Sequence, residues 1–250
     1  MSVEVGAVRA EQARAVMLEL FPTGFEEIDR SGGVELVAYT DAAGEERLWQ
    51  AFGGAHATDV EAGWEDRWRD FHRPVRVGEL WVGPPWETPP DDAIAIVIDP
   101  GRAFGTGAHP TTRLCLGLLQ ELPRGSVLDV GCGSGVLAIA AARLGHRPVE
   151  AVDVEAAAVE ATRANAAANG VRLDVRRVDP DERLPPADIV VANISRESVV
   201  ALPPRLATAR VVASGFLAGD EPQLDGFRRV DRREADGWAA DVYERVAPRD

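Results

Sequence analysis

The sequence has no lysine: all 27 basic residues are arginine, set against 41 acidic residues for a net charge of −14. Together with abundant alanine, this reads as a codon-usage bias rather than a functional signal. The shortage of positive charge argues against a DNA- or RNA-binding protein, because phosphate recognition normally needs a basic surface. Cysteine is almost absent. Cys115 and Cys132 fall in an expected helix and an expected glycine loop, which excludes a disulfide framework and a cysteine metal cluster and leaves two reduced thiols. No apolar run approaches the roughly 20 residues that cross a bilayer. The opening MSVEVGAVRAEQ lacks the basic and apolar regions of a signal peptide. The expectation is a cytoplasmic protein with no membrane partner.

What is present is enough apolar material for a proper core, 46% of 250 residues, in one large domain or one medium and one small domain. Residues 1–62 carry 12 acids against four arginines, a net of −8, over half of the chain's excess on a quarter of its length. A basic partner accounts for that bias, as does a solvated acidic surface. Strands at 2–8, 25–29, 34–40 and 56–60, with helices at 10–21 and 45–52, give a βαββαβ order. Ser31-Gly32-Gly33 marks the hairpin, so 1–62 is expected to be a small ferredoxin-like α+β domain. Residues 63–92 read as a linker. It carries a helix whose Trp64, Trp68 and Phe71 share one face, as core-packing aromatics do, and ends in a proline-rich stretch at 84–90. From 93 to 250, short β-rich runs alternate with helices, the pattern of a Rossmann-like α/β domain with a mostly parallel sheet. Its strands are expected at 127–130, 149–154, 173–178, 189–193, 211–214, 228–230 and 240–244.

The run Val127-Leu128-Asp129-Val130-Gly131-Cys132-Gly133-Ser134-Gly135 is an apolar strand entering a glycine loop, with a helix from Val136. Glycine there lets the backbone turn tightly and approach a ligand that a Cβ would exclude. Asp153 follows at the end of the next strand, where a carboxylate accepts from both hydroxyls of a ribose. A dinucleotide fingerprint starting at Gly131 needs glycine at position 136, which is Val136. With no pyrophosphate to approach, that glycine is not required. Asp129 is then free to organise the loop or to face a cationic amino-acid group, so the cofactor expected is S-adenosylmethionine. Phe104-Gly105-Thr106-Gly107-Ala108-His109-Pro110-Thr111-Thr112-Arg113 is a second glycine-punctuated loop that enters a helix at Pro110. Phe104 is expected to cover the cofactor and a Thr hydroxyl of this loop to donate a hydrogen bond. His109 is either a base or an organiser of the loop. Asn193 closes a strand at the edge where ligands sit in open parallel sheets. It is followed by Ile194-Ser195-Arg196 rather than Pro-Pro-aromatic, which favours an alkyl amine over a planar nitrogen as the group it orients.

These stretches resemble the class I methyltransferases and, more narrowly, the ribosomal protein L-eleven methyltransferase family of PrmA type. The resemblance runs from about Trp64 to the end and is most specific over 64–74, 99–116, 127–145 and 191–194. It implies a seven-stranded catalytic domain after a substrate-recognition domain and a linker helix. It also implies cofactor contacts at Thr112, Gly131, Asp153 and Asn193, and methylation of amino groups on a basic ribosomal protein, with Asn193 positioning the amine. Two departures stand out. Residues 218–224 leave little room for a helix before the sixth strand, and no glycine-rich turn precedes the fifth, around 207–210. Other readings are a methyltransferase for another protein or a small molecule, a non-catalytic cofactor-binding assembly protein, and a nicotinamide dehydrogenase. A monomer is expected.

Overall fold

The computed structural model describes residues 2–6, 9–10, 13, 16–17, 20–21, 26–30, 32–38, 42–53, 73–100 and 107–246. The chain divides into two compact units, 1–68 and 69–250. In the first, β1 (Ser2–Gly6), β2 (Glu26–Arg30) and β3 (Gly33–Val37) form a sheet in the order β1-β3-β2. β3 runs antiparallel to both neighbours. Gly32, at φ 102°, makes the β2–β3 turn, and α1 spans Ala42–Phe52. Val3, Val34, Leu36, Met17, Phe21 and Leu48 share one buried cluster. The fourth strand expected at 56–60 lies outside the described residues, as do Trp64, Trp68 and Phe71.

The second unit begins with a correction. Residues 75–83, expected within the linker, form β4 (Val75–Val77) and β5 (Leu80–Gly83) instead. β5 pairs antiparallel with β4 and parallel with β6 (Ile94–Val97). The reason is local: Gly78 at φ 55° closes a tight turn, and Leu80, Trp81 and Val82 are all buried. The prolines that follow only end this hairpin.

The main sheet has seven strands: β7 (Val127–Val130), β8 (Val149–Asp153), β9 (Asp174–Arg177), β10 (Ala187–Asn193), β11 (Thr208–Leu217), β12 (Phe227–Ala235) and β13 (Trp238–Arg245). Their order is β12-β13-β11-β10-β7-β8-β9. β7 to β11 run parallel, and β13 pairs antiparallel with β11 and β12. The connecting helices are α2 (Pro110–Glu121), α3 (Val136–Arg143), α4 (Ala156–Ala168) and α5 (Arg196–Ala201). Alternation along each strand feeds two cores. Val127, Ile189 and Val191 enter one with residues of α2 and α3. Leu128, Val130, Val190 and Ala192 enter the other, with Val199 of α5. Burial on both faces is why these strands read as continuous apolar runs. The order in which strands are laid down reverses between β7 and β10, and a parallel sheet opens its crevice at the carboxyl ends of such a pair.

Candidate active site

Beyond β7 the backbone turns at Gly131, φ 74°. Gly131 and Cys132 both donate to Val152 O, at 2.9 and 3.1 Å, stitching the loop to β8. A Cβ on Gly131 would collide with Ile194 Cγ2, so only glycine lets the loop pass the end of β10. Gly133 N donates to Asp153 Oδ2 and Glu155 N to Asp153 Oδ1, each at 3.0 Å. The Asp153 carboxylate is therefore oriented by backbone, and each oxygen keeps a lone pair for a further donor. From α4, Thr162 Oγ1 donates to Gly133 O at 2.9 Å and Asn165 Nδ2 to Ser134 O at 2.8 Å.

Asp129 lies at the centre. It is 1% exposed, and its Oδ2 accepts from Ala138 N at 3.0 Å. Gly135, the N-cap of α3, has no side chain to cap with, so a carboxylate from the preceding strand does that work at the positive end of the helix. Asp129 Oδ1 has no partner. Burial, and secondarily the neighbouring Asp153 charge, push this carboxyl up to about 7, against the lowering effect of the Ala138 bond. An orphaned buried acceptor beside a glycine cradle suits a ligand with a cationic N–H group. Burial holds the Cys115 and Cys132 thiols up at about 12, so both stay protonated and inert.

On the other side of the switch point, Asn193 Nδ2 donates to Thr112 Oγ1 at 3.2 Å, joining β10 to the first turn of α2. His109 is the N-cap of that helix, its Nδ1 accepting from Thr111 N at 3.4 Å. Its ring meets Trp238 edge-on, with centroids 4.8 Å apart. Burial and the nearby Arg113 hold its pKa below the ordinary value. Of the two readings for His109, the geometry supplies the partners of an organiser. Arg113 Nη2 in turn reaches Asp236 Oδ2 at 2.5 Å, in the β12–β13 turn.

This is the layout of a class I methyltransferase, and the comparisons narrow it. The ribosomal protein L11 methyltransferase (PrmA) profile matches residues 34–239. The chain belongs to that family. It is 44% identical to a ribosomal protein L11 methyltransferase of Symbiobacterium thermophilum over 197 residues, 72% of this chain and 65% of that relative's length. Among solved structures, a ribosomal protein L11 methylase from Lactobacillus delbrueckii subsp. bulgaricus superposes with a TM-score of 0.60 at 30% identity, covering 70% of this chain and all of that one. A 16S rRNA N2 G1207 methyltransferase (RsmC) of T. thermophilus, in complex with AdoMet and guanosine, shares the fold over 98% of this chain, with a TM-score of 0.50 and 17% identity.

Of the residues expected to build this family's site, Asp129, Gly131, Gly133, Gly135 and Asp153 converge on one loop. Thr112 and Asn193 meet directly, and Ile194, next to Asn193, packs on Gly131. Phe104 lies outside the described residues. Sequence reading missed Thr162, Asn165 and Ile194. The one signal that pointed to the first two is a pair of polar residues, 2% exposed or less, on the inner face of the alanine-rich α4.

Proposed function

We propose that this chain transfers methyl groups from S-adenosylmethionine to amino groups, a lysine side chain and/or the N-terminal α-amine, of ribosomal protein L11. The observation that carries this reading is the Asn193–Thr112 bond. It fixes an amide at the carboxyl end of β10, next to Ile194, which packs on Gly131 of the glycine loop. With Nδ2 committed to Thr112, Asn193 Oδ1 is oriented to accept an N–H from an incoming amine and so aim its lone pair.

When bound, the cofactor supplies an electrophilic methyl on sulfonium. Asp153 would hold its ribose hydroxyls, the Gly131–Gly135 turn would admit its backbone-hugging chain, and Asp129 Oδ1 would receive its ammonium. The protein's share is alignment, and well-oriented reactants gain on the order of 7 to 11 kcal/mol from it. Asn193 accepts a hydrogen bond but takes no proton, so the proton of an alkylammonium acceptor goes to solvent before attack.

Residues 1–62, with their net charge of −8, form the docking module for this basic substrate in our reading. The catalytic unit follows, and its β4–β6 sheet begins at Val75. Docking by charge weakens with salt, so the KM for the protein acceptor should rise several-fold between about 50 and 300 mM salt while its kcat holds. The deciding experiment is transfer of labelled methyl from S-adenosylmethionine to purified L11 and to a ribosomal fraction, followed by mass spectrometry. Label on another protein or a small molecule would replace the acceptor, and no label at all would leave a cofactor-binding protein without this activity.

A further inference from the structure

Two asparagines stand one turn apart at the end of α4, and they do different things. Asn169 Oδ1 accepts from Val97 N at 2.8 Å and its Nδ2 donates to Val97 O at 2.7 Å. The amide thus pairs with the end of β6 as another strand would, and it touches nothing in the glycine loop. Asn165 is 2% exposed and spans two separate backbones. Its Nδ2 donates to Ser134 O at 2.8 Å, and its Oδ1 accepts from Asp99 N at 3.2 Å. Ser134 is at the crest of the glycine loop and Asp99 opens the run toward Thr112, so one buried amide ties the two segments on which the site is built. One orientation of the amide satisfies both bonds, and no other side chain of that size offers a donor and an acceptor in this geometry.

We infer that Asn165 is a positioning residue for cofactor binding: it locks the glycine loop to the Asp99 backbone, so that the loop is already in its binding conformation before any ligand arrives. The inference rests on the S-adenosylmethionine reading above. The neighbouring bonds support a mechanical role. Thr162 Oγ1 fixes Gly133 O from the same helix one turn earlier, and Gly133 N in turn orients Asp153. Releasing Ser134 O therefore frees the peptide two along from the one that aims the carboxylate. It also takes the side-chain partner from the buried Ser134 carbonyl and from the half-buried Asp99 N–H, which the chain relieves by moving the loop.

The test compares Asn165→Ala, Asn165→Asp and Asn169→Ala in the full chain. Calorimetry would read S-adenosylmethionine affinity, amide hydrogen exchange would read residues 131–138 without ligand, and thermal melting would read stability. We expect Asn165→Ala to raise the dissociation constant roughly tenfold and to speed exchange in the glycine loop. Asn165→Asp keeps the acceptor toward Asp99 but sets a carboxylate oxygen against Ser134 O, and should do the same. Asn169→Ala should melt lower yet bind within about twofold of the parent. Equal affinity and equal loop exchange in both Asn165 variants would overturn the assignment. So would an Asn169→Ala variant that loses as much affinity, since the effect would then be general loosening. Failure of the parent itself to bind S-adenosylmethionine would refute the cofactor reading, and the loop-exchange comparison would still decide whether Asn165 locks the loop.

Discussion

Asp129 stands at the point where stability and ligand binding pull in opposite directions, and replacing it with asparagine separates the two. The carboxyl is fully buried, accepts one backbone hydrogen bond and leaves Oδ1 unpartnered. Burial carries its pKa from 3.8 to about 7. A raised folded-state value means that the folded protein binds this proton more tightly than the unfolded chain. The contribution to stability is complete below about pH 4 and is lost as pH rises through about 7. About three units at 1.36 kcal/mol each amount to about 4 kcal/mol. The Asp129→Asn side chain would keep the acceptor for Ala138 N, place a neutral amide where the charge was, and not titrate. In urea denaturation the Asp129→Asn protein should match the parent at or below about pH 4 and exceed it by that amount at pH 8. Its affinity for S-adenosylmethionine at pH 8 should fall about tenfold or more, because a hydrogen bond between charged partners is lost. A variant whose disadvantage grows from pH 5 to pH 8 would refute the reasoning, since Asp129 would then be ionised and satisfied in the folded state.

The remaining predictions concern the rest of the site. Asp153→Ala removes the acceptor for Gly133 N and Glu155 N and should weaken S-adenosylmethionine binding at least about tenfold by calorimetry; unchanged binding would sink the ribose role. Gly215 sits at φ 100°, where an added Cβ would run into the Ile194 carbonyl oxygen. Gly215→Ala should therefore cost on the order of 3 kcal/mol or more, seen as a lower melting temperature, and an unaltered melt would show that the β10 and β11 ends do not touch so closely. If His109 is an N-cap and not a base, His109→Asn, which preserves capping, should retain most of the methyl-transfer rate and its pH profile. His109→Ala should lose about 1 kcal/mol of stability. A rate that collapses in both variants, with the acidic limb of the profile gone, would make His109 the base.

The glycine loop and the parallel strands were legible because their causes are local. β7, β8 and β10 are largely buried on both faces and so are rich in apolar residues, and a turn through positive φ at Gly131 needs glycine in the sequence itself. Asn193 was legible from its place at a strand end. The contacts that hold the site in shape were not, because they are made across the chain: Asn165 acts on residues 31 and 66 positions away, and Asn193 reaches Thr112 over 81. No periodicity encodes such a pairing. What a sequence can show is the anomaly, a polar side chain on a buried stripe, which has to be satisfied by something. β4 and β5 were missed for another reason. Three- and four-residue strands are too short to establish alternation, and the neighbouring prolines dominated the reading.

The shortened segment before β12 has its own physical answer. Between Leu217 and Phe227 the described chain holds no helix, so its polar backbone must be satisfied from elsewhere. Arg232 satisfies two of its carbonyls. Its guanidinium donates to Ala218 O at 3.2 Å and Asp220 O at 2.7 Å, and forms a two-bond pair with Asp241 at 2.7 and 3.0 Å. Asp241 is fully buried, and the Tyr243 hydroxyl bridges its Oδ2 and Pro222 O at 2.8 Å each. A planar cation with five donors spans a turn that a helix would otherwise have closed through its own ladder. Because this knot is anchored on β12 and β13, the deletion is absorbed at the edge of the sheet. The ends of β7, β8 and β10, where Asp129, Asp153 and Asn193 stand, keep their parallel register. The short segment is thus held by one buried ion pair between β12 and β13, with Asp220 also facing Arg196 of α5 at 3.9 Å.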